Sequence, residues 1–167
     1  MSLKVVLERE LPQARPVDSP PWQGIEIVVL YTGPRSTRAA LRTACQCAEG
    51  LSARIRLLAF QPVPWALPLD QPPAGKQFSE LMLRELLEEC AAEASGHLQG
   101  PVEFRGENRL CRETWFALSR LLHPQSVVVI GTRTRWWPKP EDGLARRLRR
   151  AGHHVVRGTL CREVAYA

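Results

Sequence analysis

The stretch that decides the fold is SVVVIGTRTR, from Ser126 to Arg135. Its first five residues form a mainly apolar, β-branched run, which is typical of a strand buried on both faces of a parallel sheet. Gly131 follows directly, and a predicted helix, Asp142–Arg150, comes a few residues later. A glycine between a strand and a helix marks the place where α/β proteins often hold phosphates. The stretch therefore raises the question of whether it forms a nucleotide site.

Strands and helices alternate along the rest of the chain. Strands are predicted at Ile25–Tyr31, Ala53–Phe60, Val102–Arg105, Ser126–Ile130 and His153–Arg157, and helices at Thr37–Glu49, from a cap at Ser79 to Gly96, at Glu113–Leu122 and at Asp142–Arg150. This order predicts an α/β fold with a five-stranded parallel open sheet, right-handed crossovers and helices on both faces.

The length of 167 residues suits one domain. We assign residues 1–24 to an N-terminal extension or linker, 25–158 to the α/β domain and 159–167 to a C-terminal tail. Leu3–Leu7 fits a short strand within the extension, and the four prolines that follow it favour an extended linker.

The composition, 44% hydrophobic and 24% charged, is ordinary for a soluble globular protein. No apolar run approaches the roughly 18 residues that span a bilayer, and the first residues lack the pattern of a signal peptide. The five cysteines have no disulfide-framework or metal-ligand spacing. These features predict a cytoplasmic protein with reduced, mostly buried thiols and no bound metal.

The net charge of +6 is concentrated near the opening stretch, where residues 131–150 hold seven basic residues against two acidic ones. Such a cluster fits a small anionic ligand held by Arg133, Arg135 and Lys139, and Ser36 and Thr37 offer hydroxyls to it at a helix N-terminus. A nucleic-acid site on Arg146, Arg147, Arg149 and Arg150 is the alternative, and it is disfavoured because no stacking aromatics are spread along a strand face.

Three segments resemble the universal stress protein family. Residues 25–49 are similar to the family's opening strand, turn and first helix, SVVVIGTRTR to its fourth strand and the GSRGR-type turn after it, and residues 147–158 to its closing helix and last strand. The resemblance implies strand order 3-2-1-4-5, in many members ATP binding, and a homodimer joined through the last strand. The candidate interface is His153–Gly158 together with the tail, Thr159–Tyr166.

That strand order reverses between the first and fourth strands, and ligands of open α/β sheets bind in the crevice at such a point. The residues expected there are Thr32, Gly33, Ser36, Phe60, Gly131, Arg133 and Arg135. The proline-rich loop after the second strand carries Trp65, which is expected either to cover this crevice or to pack within the protein.

The sequence departs from the ATP-binding members at each motif position. Thr32 stands where they carry an acid, Thr134 where they carry a second glycine, and Leu144 where a serine or threonine follows the third glycine. Glu141 and Asp142 at the start of the last helix would repel a phosphate. The resemblance therefore implies a degenerate nucleotide site with no cofactor, and ATP binding is disfavoured.

No Ser-His-Asp, Cys-His or phosphate-loop pattern is present in the sequence. We expect a binding or regulatory module, not an enzyme. The rival hypothesis is a nucleotide or anion binder with a noncanonical loop built on Gly131, Arg133 and Arg135. Trp136 and Trp137 fit either a contact with a partner protein or packing within the chain.

Overall fold

The computed structural model describes residues 4–8, 24–68, 76–132 and 140–159. The strands are β1 (Lys4–Glu8), β2 (Ile25–Leu30), β3 (Ala53–Pro62), β4 (Val102–Cys111), β5 (Val127–Thr132) and β6 (His154–Thr159). The helices are α1 (Pro34–Ala48), α2 (Lys76–Ala94), α3 (Thr114–Leu121) and α4 (Pro140–Arg150).

The described strands form one parallel sheet in the order β1-β4-β3-β2-β5-β6. Strands β2 to β6 carry the predicted order 3-2-1-4-5, and the predicted fold class is confirmed. β1 adds a sixth strand beside β4, so Lys4–Glu8 belongs to the sheet although it was assigned to the extension. At the other end, Thr159 pairs with Thr132, so β6 reaches the first residue assigned to the tail.

Two apolar layers cover the sheet because alternate residues of a strand point to opposite faces. On one face, Ile27, Val29 and Leu57 pack under α1 and α2. On the other face, Val28, Leu30 and Ile130 pack with residues of α3 and α4. These layers hold the ends of β2 and β5 in place and so position the predicted crevice.

Three helices begin earlier than the sequence predicted, and one of them, α4, begins at Pro140 and not at Asp142. α1 begins at Pro34, not Thr37, because proline has no N–H to lose in a first helical turn and its φ already suits a helix. Gly33 precedes it with φ of 128°, a value that favours glycine. α2 begins at Lys76, so the predicted cap at Ser79 is wrong.

Candidate functional site

The first two residues of the predicted phosphate turn, Gly131 and Thr132, belong to the strand before it. β5 continues through Gly131 and Thr132, which pair with Gly158 and Thr159 of β6. The sequence placed Gly131 in a turn, and the extra pairing with β6 is the physical reason that the strand extends over it. Gly131 is buried.

Gly131 lies under the backbone of α1. A Cβ atom at this position would overlap the carbonyl oxygen of Ser36. Its neighbour Gly158 is in the same situation, since a Cβ there would lie 2.6 Å from the Cα and 2.8 Å from the nitrogen of Ala40. The two paired glycines therefore let the first turns of α1 lie directly on β5 and β6. A close approach of helix and sheet accounts for the glycine at 131.

Thr32 links the ends of β2 and β5. Its hydroxyl lies 3.2 Å from the carbonyl oxygen of Gly131 and 3.1 Å from Oγ of Ser36. Ser36 in turn donates a hydrogen bond of 3.1 Å to the carbonyl of Gly33. We call these residues, together with Thr37, the crevice cluster. Its hydroxyls bond to one another and to the turn at the point where the strand order reverses.

The hydroxyls of Ser36 and Thr37 face into the protein, with 2% and 0% of the residue exposed. Thr37 Oγ1 accepts a hydrogen bond of 3.1 Å from the backbone N–H of Thr32, and its own N–H donates to the carbonyl of Gly33 at 2.8 Å. Pro34 brings no N–H to this turn. The hydroxyls of Ser36 and Thr37 and the N–H of Thr37, which could have bound an anion at the start of α1, therefore form hydrogen bonds within the turn.

Phe60, another predicted site residue, lies away from this cluster. It packs against the apolar layer under α3 and α4, whereas α1 lies on the opposite face. Arg133 and Arg135 lie outside the described residues, as do Trp136 and Trp137. Of the seven candidate residues, the structure joins Thr32, Gly33, Ser36 and Gly131.

Trp65 is not buried in the core, since 84% of the residue is exposed. Its ring lies 5.2 Å from the guanidinium carbon of Arg112. Arg112 also donates to the backbone carbonyls of Val63, Pro64 and Leu67. The arginine thus holds the loop after β3 against the end of β4, and Trp65 packs on it at the surface and not in the core.

Asp142, one of the two acids at the start of the last helix, reaches β6. Its carboxylate accepts a hydrogen bond of 2.8 Å from Arg157. Both side chains are partly exposed, so the pair contributes at most a fraction of a kcal/mol, about 0.5 kcal/mol. It ties α4 to the last strand.

Sequence reasoning missed a group of charged side chains on β3 and β4, which we call the charged ladder. Its members project from the sheet face that carries α3 and α4, and they are Arg54, Arg56, Glu103, Arg105, Glu107 and Arg109. It explains why β4 runs to Cys111 and not only to the predicted Arg105: residues that look like a polar loop are paired across the strands. The alternation Glu-x-Arg-x-Glu-x-Arg from residue 103 is the signal that could have found it.

Glu107 is the centre of the ladder, with its side chain 4% exposed. Arg56 binds both carboxylate oxygens, and Arg109 donates from 2.9 Å. Burial by itself raises the pKa of this carboxyl, but the hydrogen bonds and charges of the two arginines outweigh burial and hold the pKa below its usual range. Glu107 therefore stays ionised, which suits a structural ion pair and not a proton-transfer group.

Among the residues that the structure describes, no three His, Cys, Asp or Glu side chains are grouped so that they could hold a metal ion. None of the helices in the same part of the chain is long and apolar enough to cross a membrane.

No family model and no curated protein sequence matches the chain. Solved structures do match. One, a universal stress protein in complex with cAMP, is 16% identical with a TM-score of 0.47, over 80% of this chain and 94% of that one. Another, a universal stress protein from Archaeoglobus fulgidus, is 13% identical with a TM-score of 0.48, over 80% and 92%. A protein from Mycobacterium tuberculosis H37Rv is 18% identical with a TM-score of 0.42, over 80% and 93%.

In fold, the chain resembles universal stress proteins. The predicted resemblance is confirmed at that level. The cAMP belongs to the first of these structures.

Proposed function

We propose that this chain is a cytoplasmic binding or regulatory module, without catalytic activity, whose nucleotide crevice is filled by its own residues and does not bind ATP in the conventional way. The observation that carries the proposal is the crevice cluster. Thr32 bridges to Gly131, and Ser36 and Thr37 are buried and bonded within the turn.

The geometry of α1 supports the same proposal. A phosphate bound at Gly131 would need the space next to its Cα, and the carbonyl of Ser36 lies there. Opening that space would separate α1 from β5 and β6 and would expose apolar residues such as Ala40, which is fully buried. Conventional binding would therefore cost packing as well as hydrogen bonds.

Titration of ATP against tryptophan fluorescence tests the proposal, because Trp136 and Trp137 follow the end of β5 closely in sequence. We expect no saturable change up to millimolar ATP. The matched variants are Arg133→Ala, in the noncanonical loop, and Arg149→Ala, an exposed basic residue of α4. Saturable quenching at micromolar ATP would contradict the proposal, and its loss in R133A but not in R149A would assign binding to the noncanonical loop.

We further propose that the module forms a homodimer through β6. In the described sheet β6 pairs with β5 along one edge, and no described strand lies along the other. An uncovered strand edge presents N–H and C=O groups that can pair with a second copy. Fewer than half of its residues are buried, in keeping with a strand that gains cover from a partner.

The dimer is tested at Arg157. The N–H of His154 points to the β5 side, where it donates to the carbonyl of Ser126, so the N–H of Arg157, three residues on, points to the open edge. Arg157→Pro removes that edge donor, and Arg157→Ala keeps it while also losing the ion pair with Asp142. We expect sedimentation to give a dimer for the wild type and R157A and a monomer for R157P. A monomeric wild type, or a dimer unaffected by R157P, would contradict this interface.

A further inference from the structure

Two cysteines from different helices meet in the layer formed by α1 and α2. Cys45 of α1 and Cys90 of α2 are 45 positions apart in the chain, and their sulfur atoms lie 3.5 Å apart. The sequence lacks the cysteine spacing that is typical of disulfide-bonded proteins. It did not indicate this pair, because the two cysteines meet only when α1 packs beside α2. No other described cysteine has a sulfur contact with them.

The pair lies at the bottom of a groove between the two helices. The groove has a volume of about 620 Å³ and is lined by both cysteines together with Arg42, Gln46, Glu93 and His97. Cys90 is buried and Cys45 is only partly buried. At the rim, Arg42 and Glu93 form an ion pair at 2.9 Å. A small solute can therefore reach Cys45 first.

The two thiols differ chemically. A hydrogen bond from the Cys90 thiol lowers the pKa of Cys45, in spite of the opposing effects of burial and of the negative charge of Glu93. The same hydrogen bond, followed by burial, raises the pKa of Cys90. Since the thiolate is the reactive form, Cys45 is the attacking sulfur and Cys90 is the one that closes the bond.

We propose that Cys45 and Cys90 form a redox site, in which a small hydroperoxide entering the groove oxidises the pair to a reversible disulfide between α1 and α2. In the first step the Cys45 thiolate attacks one peroxide oxygen. The S–O bond forms, the O–O bond breaks, and the leaving alkoxide or hydroxide takes a proton from water, so that Cys45 becomes a sulfenic acid.

In the second step the sulfur of Cys90 attacks the sulfur of Cys45. The S–S bond forms and the S–O bond breaks, and the departing hydroxide leaves as water with the proton of the Cys90 thiol. The two thiols lose two electrons and two protons in total, and the hydroperoxide is reduced to an alcohol or water and a second water. A dithiol reductant reverses the reaction by thiol–disulfide exchange.

Bond formation requires little movement. A disulfide has a sulfur separation of about 2.05 Å, so the atoms must approach from 3.5 Å by a small side-chain rotation or helix shift. The bond would close a long loop of the chain and restrict the unfolded state. We expect the midpoint of thermal unfolding, Tm, to rise by about 5 to 10 °C on oxidation.

The experiment treats the full chain with a few equivalents of hydrogen peroxide, blocks the remaining thiols with N-ethylmaleimide, and maps disulfides by peptide mass. We expect a Cys45–Cys90 peptide in the wild type and in Cys47→Ser, which removes the exposed thiol nearby on α1. Cys90→Ser should trap a sulfenic acid on Cys45 that dimedone labels, and Cys45→Ser should leave Cys90 unoxidised. The rise in Tm should disappear in C45S and be reversed in the wild type by dithiothreitol.

The wild-type map decides the proposal even if a variant folds poorly. If Cys47 is fully oxidised while Cys45 and Cys90 remain alkylated by N-ethylmaleimide, the proposal is wrong. Cross-linking between chains without the Cys45–Cys90 peptide, or dimedone labelling of Cys47 alone in C90S, would overturn it equally.

Discussion

The crevice cluster and the charged ladder, two regions of the sheet, differ in the kind of polar groups that they contain and in how these groups are paired. At the crevice, where the strand order reverses and where we expected a degenerate nucleotide site, the groups are small, uncharged and bonded to one another. On β3 and β4, where we expected no site, arginines and glutamates pair across the strands, and the central carboxylate is buried. The charges that the structure describes on the sheet are thus used within the protein, away from the place where a ligand would bind.

The two regions also differ in the substitutions that each can tolerate. At Gly131 of the crevice cluster, and at its partner Gly158, the strand backbone packs against the backbone of α1. A Cβ atom added at either position would therefore overlap backbone atoms of the helix. The charged ladder depends on side chains, several of which are partly exposed and can adjust. We therefore expect the crevice to be sensitive to volume and the ladder to be sensitive to charge.

Gly131→Ala should have the largest effect. The added Cβ would overlap the carbonyl oxygen of Ser36, which is backbone and cannot move aside alone, and we expect a loss of about 4 kcal/mol in the free energy of unfolding. Chemical denaturation measures this loss. Gly143→Ala is the matched control, since a Cβ there meets nothing within 4 Å and α4 should gain up to about 1 kcal/mol. Equal stabilities for the two variants would mean that Gly131 is not a packing residue.

Glu107→Gln should have the next largest effect. The change leaves the guanidinium of Arg56 partly buried without its carboxylate, and we expect a loss of about 3 kcal/mol near neutral pH. Because the folded pKa of Glu107 is lowered, the pair stabilises the protein above the ordinary carboxyl pKa of about 4.3 and loses this effect as the pH falls through the folded value.

The difference in stability between wild type and E107Q should therefore shrink in acid, which denaturation at a series of pH values below about 5 will show. Glu103→Gln is the control on the same strand. Its side chain is more exposed, at 16% compared with 4%, and should cost less. A difference between wild type and E107Q that stays constant with pH would contradict the role assigned to the charge.

Thr32→Val should have the smallest effect. The variant keeps the shape of the side chain and loses the hydroxyl that bridges Ser36 and Gly131, at a cost of about 1 kcal/mol. Thr43→Val is its control, because the hydroxyl of Thr43 bonds only to the carbonyl of Ala39 one turn back along α1. Equal denaturation midpoints for T32V and T43V would show that the Thr32 bridge adds nothing to stability.

The sequence was sufficient for the alternation of strands and helices, because β2 and β5 are apolar runs, and its resemblance to universal stress proteins implied the strand order. It was not sufficient for the end of β5. Whether Gly131 belongs to a turn or a strand depends on Gly158, which lies 27 positions later and pairs with it. The loss of an acid at Thr32 was visible in the sequence, whereas the bond from Thr32 to Gly131 needed the two strand ends to be placed side by side.

Polar residues were the harder part of the fold to predict. Gly106, Glu107 and Asn108 look like a loop in isolation, and they form a strand because β3 pairs with them and Arg56 neutralises the carboxylate. The contact of Cys45 with Cys90 likewise required the packing of α1 beside α2. In each case the deciding partner is distant in the chain, and local sequence patterns do not report it.

The central claim is that the crevice is filled by the protein itself, and unfolding with and without magnesium and ATP tests it most directly. A ligand at about 100 times its dissociation constant stabilises a folded protein by about 2.7 kcal/mol, enough to raise Tm by several degrees. We predict that millimolar ATP leaves the Tm of the wild-type chain unchanged. A rise in Tm that grows with ATP concentration and is absent with magnesium chloride alone would contradict the account.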